Sequence, residues 1–320
     1  MNVIYDFSVK LKNYLDRYAI GQDNYKIALS MAIYKYIKYD DTNQNILVIG
    51  PSGSGKTHLI KLLKNCPILP KEKFSVMIYD VSRLTPEGFA GSGAEDIINC
   101  WKNCCSTDKN ESQKGLIFLD EFDKIIIPNT DSNGENCNRI VQFQLMNIIE
   151  GCIRKNIDTS KIMFVMGGAF TMLDNIKSSE KIGFSVDTSI VYSDEVSLRE
   201  QLIKIGGQRE MIGRIQSIVK LKELTKAQLK VLLLHPDPDI GIIARKRLEF
   251  NRDDLDFVFT QDLINQIINN IYAQKLGARG IKSVVNSIIS GYDYQMIENN
   301  LDFVEFGVNT IKFENQRLII

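Results

Sequence analysis

The stretch from Asn45 to Leu63, NILVIGPSGSGKTHLIKLL, constrains the fold more than any other part of the chain. An apolar run breaks off at Gly50-Pro-Ser-Gly-Ser-Gly55, and Lys56-Thr57 then opens a helical pattern. The segment fits G-x-x-x-x-G-K-[ST], after a strand and before a helix, which is the setting that motif needs. Its glycines let the loop turn backbone N–H groups inward around phosphate oxygens, and the helix N-terminus adds positive potential. In this reading Lys56 reaches the β and γ phosphates of a nucleotide and the Thr57 hydroxyl ligates Mg²⁺.

Around that junction, strands alternate with helices. Strands are expected at Asn45–Ile49, Ser75–Tyr79, Gly115–Leu119 and Lys161–Val165, with helices near Lys56–Lys64, Ala94–Cys105 and Arg139–Glu150. Such alternation predicts right-handed βαβ units and a doubly wound parallel sheet, the α/β class. Ligands of these sheets lie beyond the carboxyl ends of the strands, so the loops to watch follow Gly50, Asp80, Leu119 and Val165. Past Leu221 the pattern changes. Helices are expected at Leu224–Leu234, Gln261–Gln274 and Gly280–Gln295, with strand-like pieces at Leu255–Phe259 and Phe303–Phe313, a smaller α+β domain. The 320 residues therefore divide, on this reading, into a nucleotide-binding domain over 1–221 and a small domain over 222–320.

A second motif, GLIFLDEFDKI, gives the phosphate loop its chemistry. Four apolar residues, Leu116 to Leu119, end in Asp120-Glu121 at the carboxyl edge of a strand. Asp120 is placed to hold the Mg²⁺ shell, and Glu121 to orient and deprotonate an attacking water. Asp123 is expected to be an ordinary surface or interface charge.

Composition narrows the remaining possibilities. With 39 basic and 39 acidic residues there is no global field to attract nucleic acid or an anionic membrane. The N-terminal stretch lacks the apolar core and cleavage site of a signal peptide. No apolar run approaches the roughly 20 residues that span a bilayer. The cytoplasm is the expected compartment. None of the six cysteines forms a Cys-x-x-Cys pair. Ile97, Ile98, Trp101, Cys104 and Cys105 instead share the inner stripe of an amphipathic helix, which reads as buried thiols and not as a metal site.

Several ordered segments resemble the AAA+ ATPases, and among them the ClpX branch of the Clp/Hsp100 protein unfoldases, over nearly the whole chain. Tyr18–Tyr34 (YAIGQDNYKIALSMAIY) resembles that family's N-terminal box, whose Ile20-Gly21-Gln22 segment packs near the adenine. Leu84–Gly93 (LTPEGFAGSG) resembles its pore-loop segment, and Asp158–Phe170 (DTSKIMFVMGGAF) its fourth core strand. Glu210–Arg214 (EMIGR) resembles the arginine-finger segment, and Leu276–Ser283 (LGARGIKS) the sensor-2 motif.

The resemblance implies an AAA+ core that hydrolyses ATP with Mg²⁺, assembled as a homo-hexameric ring. It implies nucleotide contacts from Ile20, Gly21, Pro51, Ser52, Gly53, Ser54, Gly55, Lys56, Thr57 and His58, and from Arg279 of the small domain. Arg214 would reach the γ-phosphate of the neighbouring subunit. Phe89 and Ala90, in Gly88-Phe-Ala-Gly91, stand where the family carries Gly-Tyr-Val-Gly and would grip unfolded or tagged polypeptide in the axial pore. Ile182-Gly183-Phe184 resembles the tripeptide by which this branch docks on a ClpP-type peptidase. Thr171 is the nearest hydroxyl to the sensor-1 position but stands several residues away. The departures are the missing paired Cys-x-x-Cys zinc module, a short GCIRKNI loop after Glu150 with Asn156 where the family has His, and Arg209 where it has Pro. Rival functions are a stand-alone remodeller of protein complexes without a peptidase, and a nucleotide-switched assembly or DNA-loading ATPase. The pore aromatic and the balanced charge disfavour the latter.

Overall fold

The computed structural model describes residues 3–70, 74–86, 93–105, 114–130, 134–173, 190–249, 256–292, 303–308, 312–314 and 317–319. The chain divides into two compact units. The first comprises Met1–Asp16, Gln22–Pro51 and Lys56–Leu221; the second comprises Arg17–Gly21, Ser52–Gly55 and Lys222–Ile320.

The first unit begins with α1 (Val3–Tyr18) and α2 (Asp23–Tyr39), followed by β1 (Ile46–Ile49), α3 (Lys56–Lys64) and β2 (Ser75–Asp80). Next come α4 (Glu95–Cys104), β3 (Gly115–Asp120), α5 (Asp123–Ile126) and α6 (Cys137–Glu150). A short pair, β4 (Ile153–Arg154) and β5 (Ile157–Asp158), precedes β6 (Ile162–Gly168). Helices Ile190–Lys204 and Arg209–Gly213 then lead into β7 (Ser217–Lys220).

Five strands form one parallel sheet in the order β2-β3-β6-β1-β7. From β1 the chain crosses over β6 and β3 to β2, returns through β3 and β6 to β1's side, and then crosses β1 to reach β7. The winding thus reverses at β1, the position where doubly wound sheets open a crevice for ligands. Every residue of β1 and β6 is buried, as is all of β3 except its last residue. Unbroken apolar runs of this kind are what a sheet covered on both faces requires.

The four expected strands are all present, and β7 is a fifth that the pattern does not announce. Ser-Ile-Val-Lys is short, exposed at its last residue, and among the described residues pairs only with β1. Its attachment depends on Asn45, just before β1 and buried at 5% exposure. The Asn45 side-chain amide donates to the Arg214 carbonyl (3.2 Å) and accepts from the Phe164 N–H (3.0 Å). Its own carbonyl accepts from Gln216 N–H at 2.8 Å. One residue thereby fixes the entry of three strands. On α2, Tyr25, Leu29, Ile33 and Tyr36 form the buried stripe, and the Tyr36 hydroxyl accepts from Gly115 N–H (2.8 Å) and donates to the Lys161 carbonyl (2.6 Å).

The short segment after α6 closes as a two-residue hairpin. Lys155 and Asn156 both have positive φ, 52° and 65°, as the tightest hairpin turns require. Cys100, Cys104 and Cys105 pack partly buried against the core around Trp101. Burial pushes the Cys105 thiol up to about 11, so it stays protonated at neutral pH.

In the second unit, helix Lys226–Leu234 starts with a capping box in which Thr225 and Gln228 exchange side-chain and backbone hydrogen bonds. Helices Ile242–Glu249, Gln261–Ala273 and Gly277–Ser290 pack with β8 (Asp256–Phe259) and β9 (Phe303–Phe306) around Phe257, Ile281, Val285 and Phe306. The sheet order is β10-β11-β9-β8, where β10 is Lys312–Glu314 and β11 is Arg317–Ile319. The strand expected over Phe303–Phe313 is therefore two strands, β9 and β10, at opposite ends of the sequence stretch. No helix among the described residues is long and apolar enough to cross a membrane.

Candidate functional site

The sheet order brings together residues that the sequence keeps far apart. Because β3, β6 and β1 are neighbours and parallel, the loop after β1, the acidic pair at the end of β3 and the glycines of β6 emerge at one edge. Gly50 N–H donates to the Gly168 carbonyl (3.1 Å), and Phe122 N–H donates to the Gly167 carbonyl (2.9 Å). Both flanking turns are thus tied to the end of β6.

At that edge the Thr57 hydroxyl donates to Asp120 Oδ2 at 2.8 Å, joining residues 63 positions apart. Asp120 Oδ1 accepts the Glu121 N–H at 3.0 Å. Glu121 is exposed and adopts φ 57°, a left-handed conformation that costs a side-chain-bearing residue energy and concentrates at functional sites. Lys56 folds back over the loop, its Nζ donating to the carbonyls of Gly50 (2.5 Å) and Pro51 (3.0 Å). Gly53 and Gly55 have φ of 75° and 99°, a conformation that glycine enters without the Cβ penalty.

Within the second unit, the loop segment Ser52–Gly55 lies against the start of helix Gly277–Ser290. Ala278 N–H donates to the Gly53 carbonyl at 3.2 Å. A Cβ on Gly53 would sit 2.7 Å from the Leu276 carbonyl oxygen, and one on Gly277 would sit 2.9 Å from the Gly53 oxygen. Two glycines, one from each motif, allow this backbone-to-backbone approach. Arg279 is exposed on the first turn of that helix. Gly21, with φ 72°, abuts the Gln228 side chain in the same unit, and Ile20 beside it is half-buried. Ser54 is buried and His58 is exposed.

Arg214 caps the short helix Arg209–Gly213 and is 54% exposed, its Nη2 2.5 Å from Glu150 Oε1 at the end of α6. Arg209 is exposed at the first position of that helix. Phe89 and Ala90 lie outside the described residues, as do Ile182, Gly183 and Phe184.

Asp123 corrects one expectation. It is 4% exposed, not a surface charge. Its Oδ2 accepts the Phe170 N–H at 3.4 Å, and Oδ1 has no hydrogen-bond partner among the described residues. A Cβ on Gly168 would come within 2.6 Å of Oδ1. The glycine end of β6 leaves a space that the carboxylate enters, and the preceding acidic pair gives no hint of it. Tyr25 is the other residue that the motifs miss. It is fully buried and its hydroxyl has no hydrogen-bond partner among the described residues. Burial, and after it the charge of Asp120, holds its ionisation well above the ordinary range. The α2 stripe reveals that Tyr25 is buried, but not that it lies near Asp120.

Comparison with known proteins agrees with this geometry. Residues 46–178 match the family described as the ATPase family associated with various cellular activities (AAA). The chain is 34% identical to the ATP-dependent Clp protease ATP-binding subunit ClpX of Treponema denticola, over 88% of this chain and 75% of that protein. It is 31% identical to the ATP-dependent Clp protease ATP-binding subunit ClpX 2 of Wolinella succinogenes, with the same two coverages of 88% and 75%. The Clp ATP-binding subunit ClpX of Borrelia duttonii is 30% identical over 90% of this chain and 74% of its own length. Identity of that level across most of both partners, on an α/β sheet whose edge carries the phosphate loop, makes this chain an ATPase of the AAA+ class and a member of the ClpX family.

Proposed function

We propose that this protein is an ATP-driven Clp-type unfoldase that assembles as a homo-hexameric ring. The ring threads unfolded or tagged polypeptide through its pore and delivers it to a ClpP-type peptidase. The 2.8 Å contact between Thr57 Oγ1 and Asp120 Oδ2 carries the catalytic half of this reading. The names of the relatives, subunits of an ATP-dependent Clp protease, support the mechanical half. The cytoplasm remains the proposed compartment.

The two oxygens in that contact form a hard donor set of the kind Mg²⁺ prefers. Thr57 and Asp120 would hold the ion, which when bound neutralises charge on the phosphate oxygens. Lys56 exchanges its two loop carbonyls for phosphate oxygens, since charge-assisted hydrogen bonds are the stronger kind. Glu121 accepts the proton of the attacking water. Arg214, whose guanidinium is half exposed and paired with the Glu150 carboxylate, exchanges Glu150 for the γ-phosphate bound to the next subunit. Arg279 reports nucleotide state from the small domain. Phe89, with Ala90 beside it, supplies an apolar grip on substrate, and Ile182-Gly183-Phe184 docks the peptidase. Six such docking loops bind together through effective concentration.

The test separates binding from chemistry. Lys56→Ala abolishes binding of a fluorescent ATP analogue. Glu121→Gln retains binding and loses hydrolysis by about 10²–10⁴-fold, the contribution of a general base. Phosphate release at the wild-type rate by Glu121→Gln refutes the assignment. Unfolding of a fluorescent reporter with a disordered tail, in the presence of ATP, tests the mechanical step.

A further inference from the structure

The short helix Arg209–Gly213 cannot fix Arg214 by itself. At five residues, its terminal carbonyls find few partners within the helix. Two side chains from elsewhere in the first unit instead hold carbonyls at its end and in the residues just beyond it. Arg199, on helix Ile190–Lys204, donates from Nη1 to the Ile212 carbonyl (2.9 Å) and from Nη2 to the carbonyls of Ile215 (2.7 Å) and Gln216 (3.3 Å). Asn45 takes the carbonyl of Arg214 itself at 3.2 Å. Of the five carbonyls from Ile212 to Gln216, these two side chains hold four.

We infer that Arg199 is a positioning residue for Arg214: its guanidinium fork clamps the backbone on both sides of Arg214 and sets where that side chain points. The inference rests on the reading of Arg214 as a group that acts on the neighbouring subunit's nucleotide. Only arginine suits the role, because three carbonyls must be met by donors in a fixed planar array. A lysine at 199 keeps the charge, which favours a helix C-terminus, but presents a point donor in place of the fork. The backbone either side of Arg214 then loses one of the two side chains that hold it, while Thr57, Asp120 and Glu121 keep their hydrogen bonds.

Steady-state ATP turnover and binding of a fluorescent ATP analogue are compared for wild type, Arg199→Lys, Arg199→Ala and Arg214→Ala. Both Arg199 variants should lose kcat on the order of ten- to a hundredfold, the effect of misplacing a catalytic group by about an ångström. KM and analogue affinity should stay within about twofold, since ground-state binding is untouched. Mixing either variant with Glu121→Gln subunits should restore turnover, because the variant's own ATP site then faces a neighbour with intact Arg199 and Arg214. Wild-type kcat in both variants overturns the inference. So does a kcat loss that mixing fails to restore, since the defect then lies in the variant's own site. If Arg214→Ala itself turns over at the wild-type rate, the reading of Arg214 fails first and takes this inference with it. Should Arg199→Ala fail to fold, Arg199→Lys with the mixing experiment decides the matter alone.

Discussion

Replacing Asn45 with alanine should weaken the first unit by about 2–4 kcal/mol, through its polar contacts more than its size. Asn45 is 5% exposed and bonds to the Phe164 N–H and the Arg214 carbonyl. Alanine deletes both partners' contacts and supplies nothing in return. The Phe164 N–H lies in a buried strand, so it bears the full cost of an unsatisfied donor, about 1–3 kcal/mol. The Arg214 carbonyl is nearer solvent and loses an ordinary hydrogen bond, about 0.5–1.5 kcal/mol. The sum is a large fraction of the roughly 5–15 kcal/mol that holds a domain folded. Trp101 is the only tryptophan in the chain and is fully buried in the first unit's core, so its fluorescence reports this unit. In urea, with a slope of about 2–3 kcal/mol per molar, the midpoint should fall by about 1 M. Asn45→Asp should fare no better at neutral pH. It keeps an acceptor for Phe164 N–H but turns a carboxylate oxygen toward the Arg214 carbonyl. A midpoint shift corresponding to less than about 1 kcal/mol in the alanine variant would refute the reasoning, because one unsatisfied buried donor alone costs that much.

Gly53→Ala should reduce ATP-analogue affinity by about tenfold or more, because the new Cβ is strained by about 1–2 kcal/mol at positive φ and also meets the Leu276 carbonyl oxygen at 2.7 Å. Unchanged affinity in a direct titration would sink this reading of the loop. Phe89→Ala should retain ATP turnover within about twofold yet fail to unfold a tagged fluorescent reporter, and equal unfolding by mutant and wild type would remove the pore-loop assignment. Phe184→Ala should keep hydrolysis and unfolding while losing co-sedimentation with a ClpP-type peptidase. Undiminished binding would leave a stand-alone remodeller as the better account.

The phosphate loop was legible because its requirements are local. Gly53 and Gly55 occupy positive-φ positions, and Lys56 and Thr57 open α3, all within the motif itself. The apolar runs of β1, β3 and β6 likewise read directly as strands buried on both faces. β7 is not legible in the same way, because four residues with two of them buried carry too little periodicity to stand out. The reading of Asp123 failed for a different reason. An acidic residue just past a strand-terminal acidic pair reads as solvated, and the space that buries it exists only because β6 ends in Gly168.

The class of chemistry is local information, since a glycine loop, a lysine and a strand-terminal acidic pair are short patterns set by backbone geometry and side-chain type. Which of these groups meet is a property of the folded chain. Strand order is a matter of pairing between distant segments, and local periodicity says nothing about it. The order β2-β3-β6-β1-β7 brings Asp120 to Thr57, and a buried amide at Asn45 ties the segment bearing Arg214 to the same sheet. The three carbonyls held by Arg199 belong to the same category. Arg199 acquires these partners only when its helix packs beside the chain's return to β7, because hydrogen bonds of fixed reach form only after the fold has set the distances.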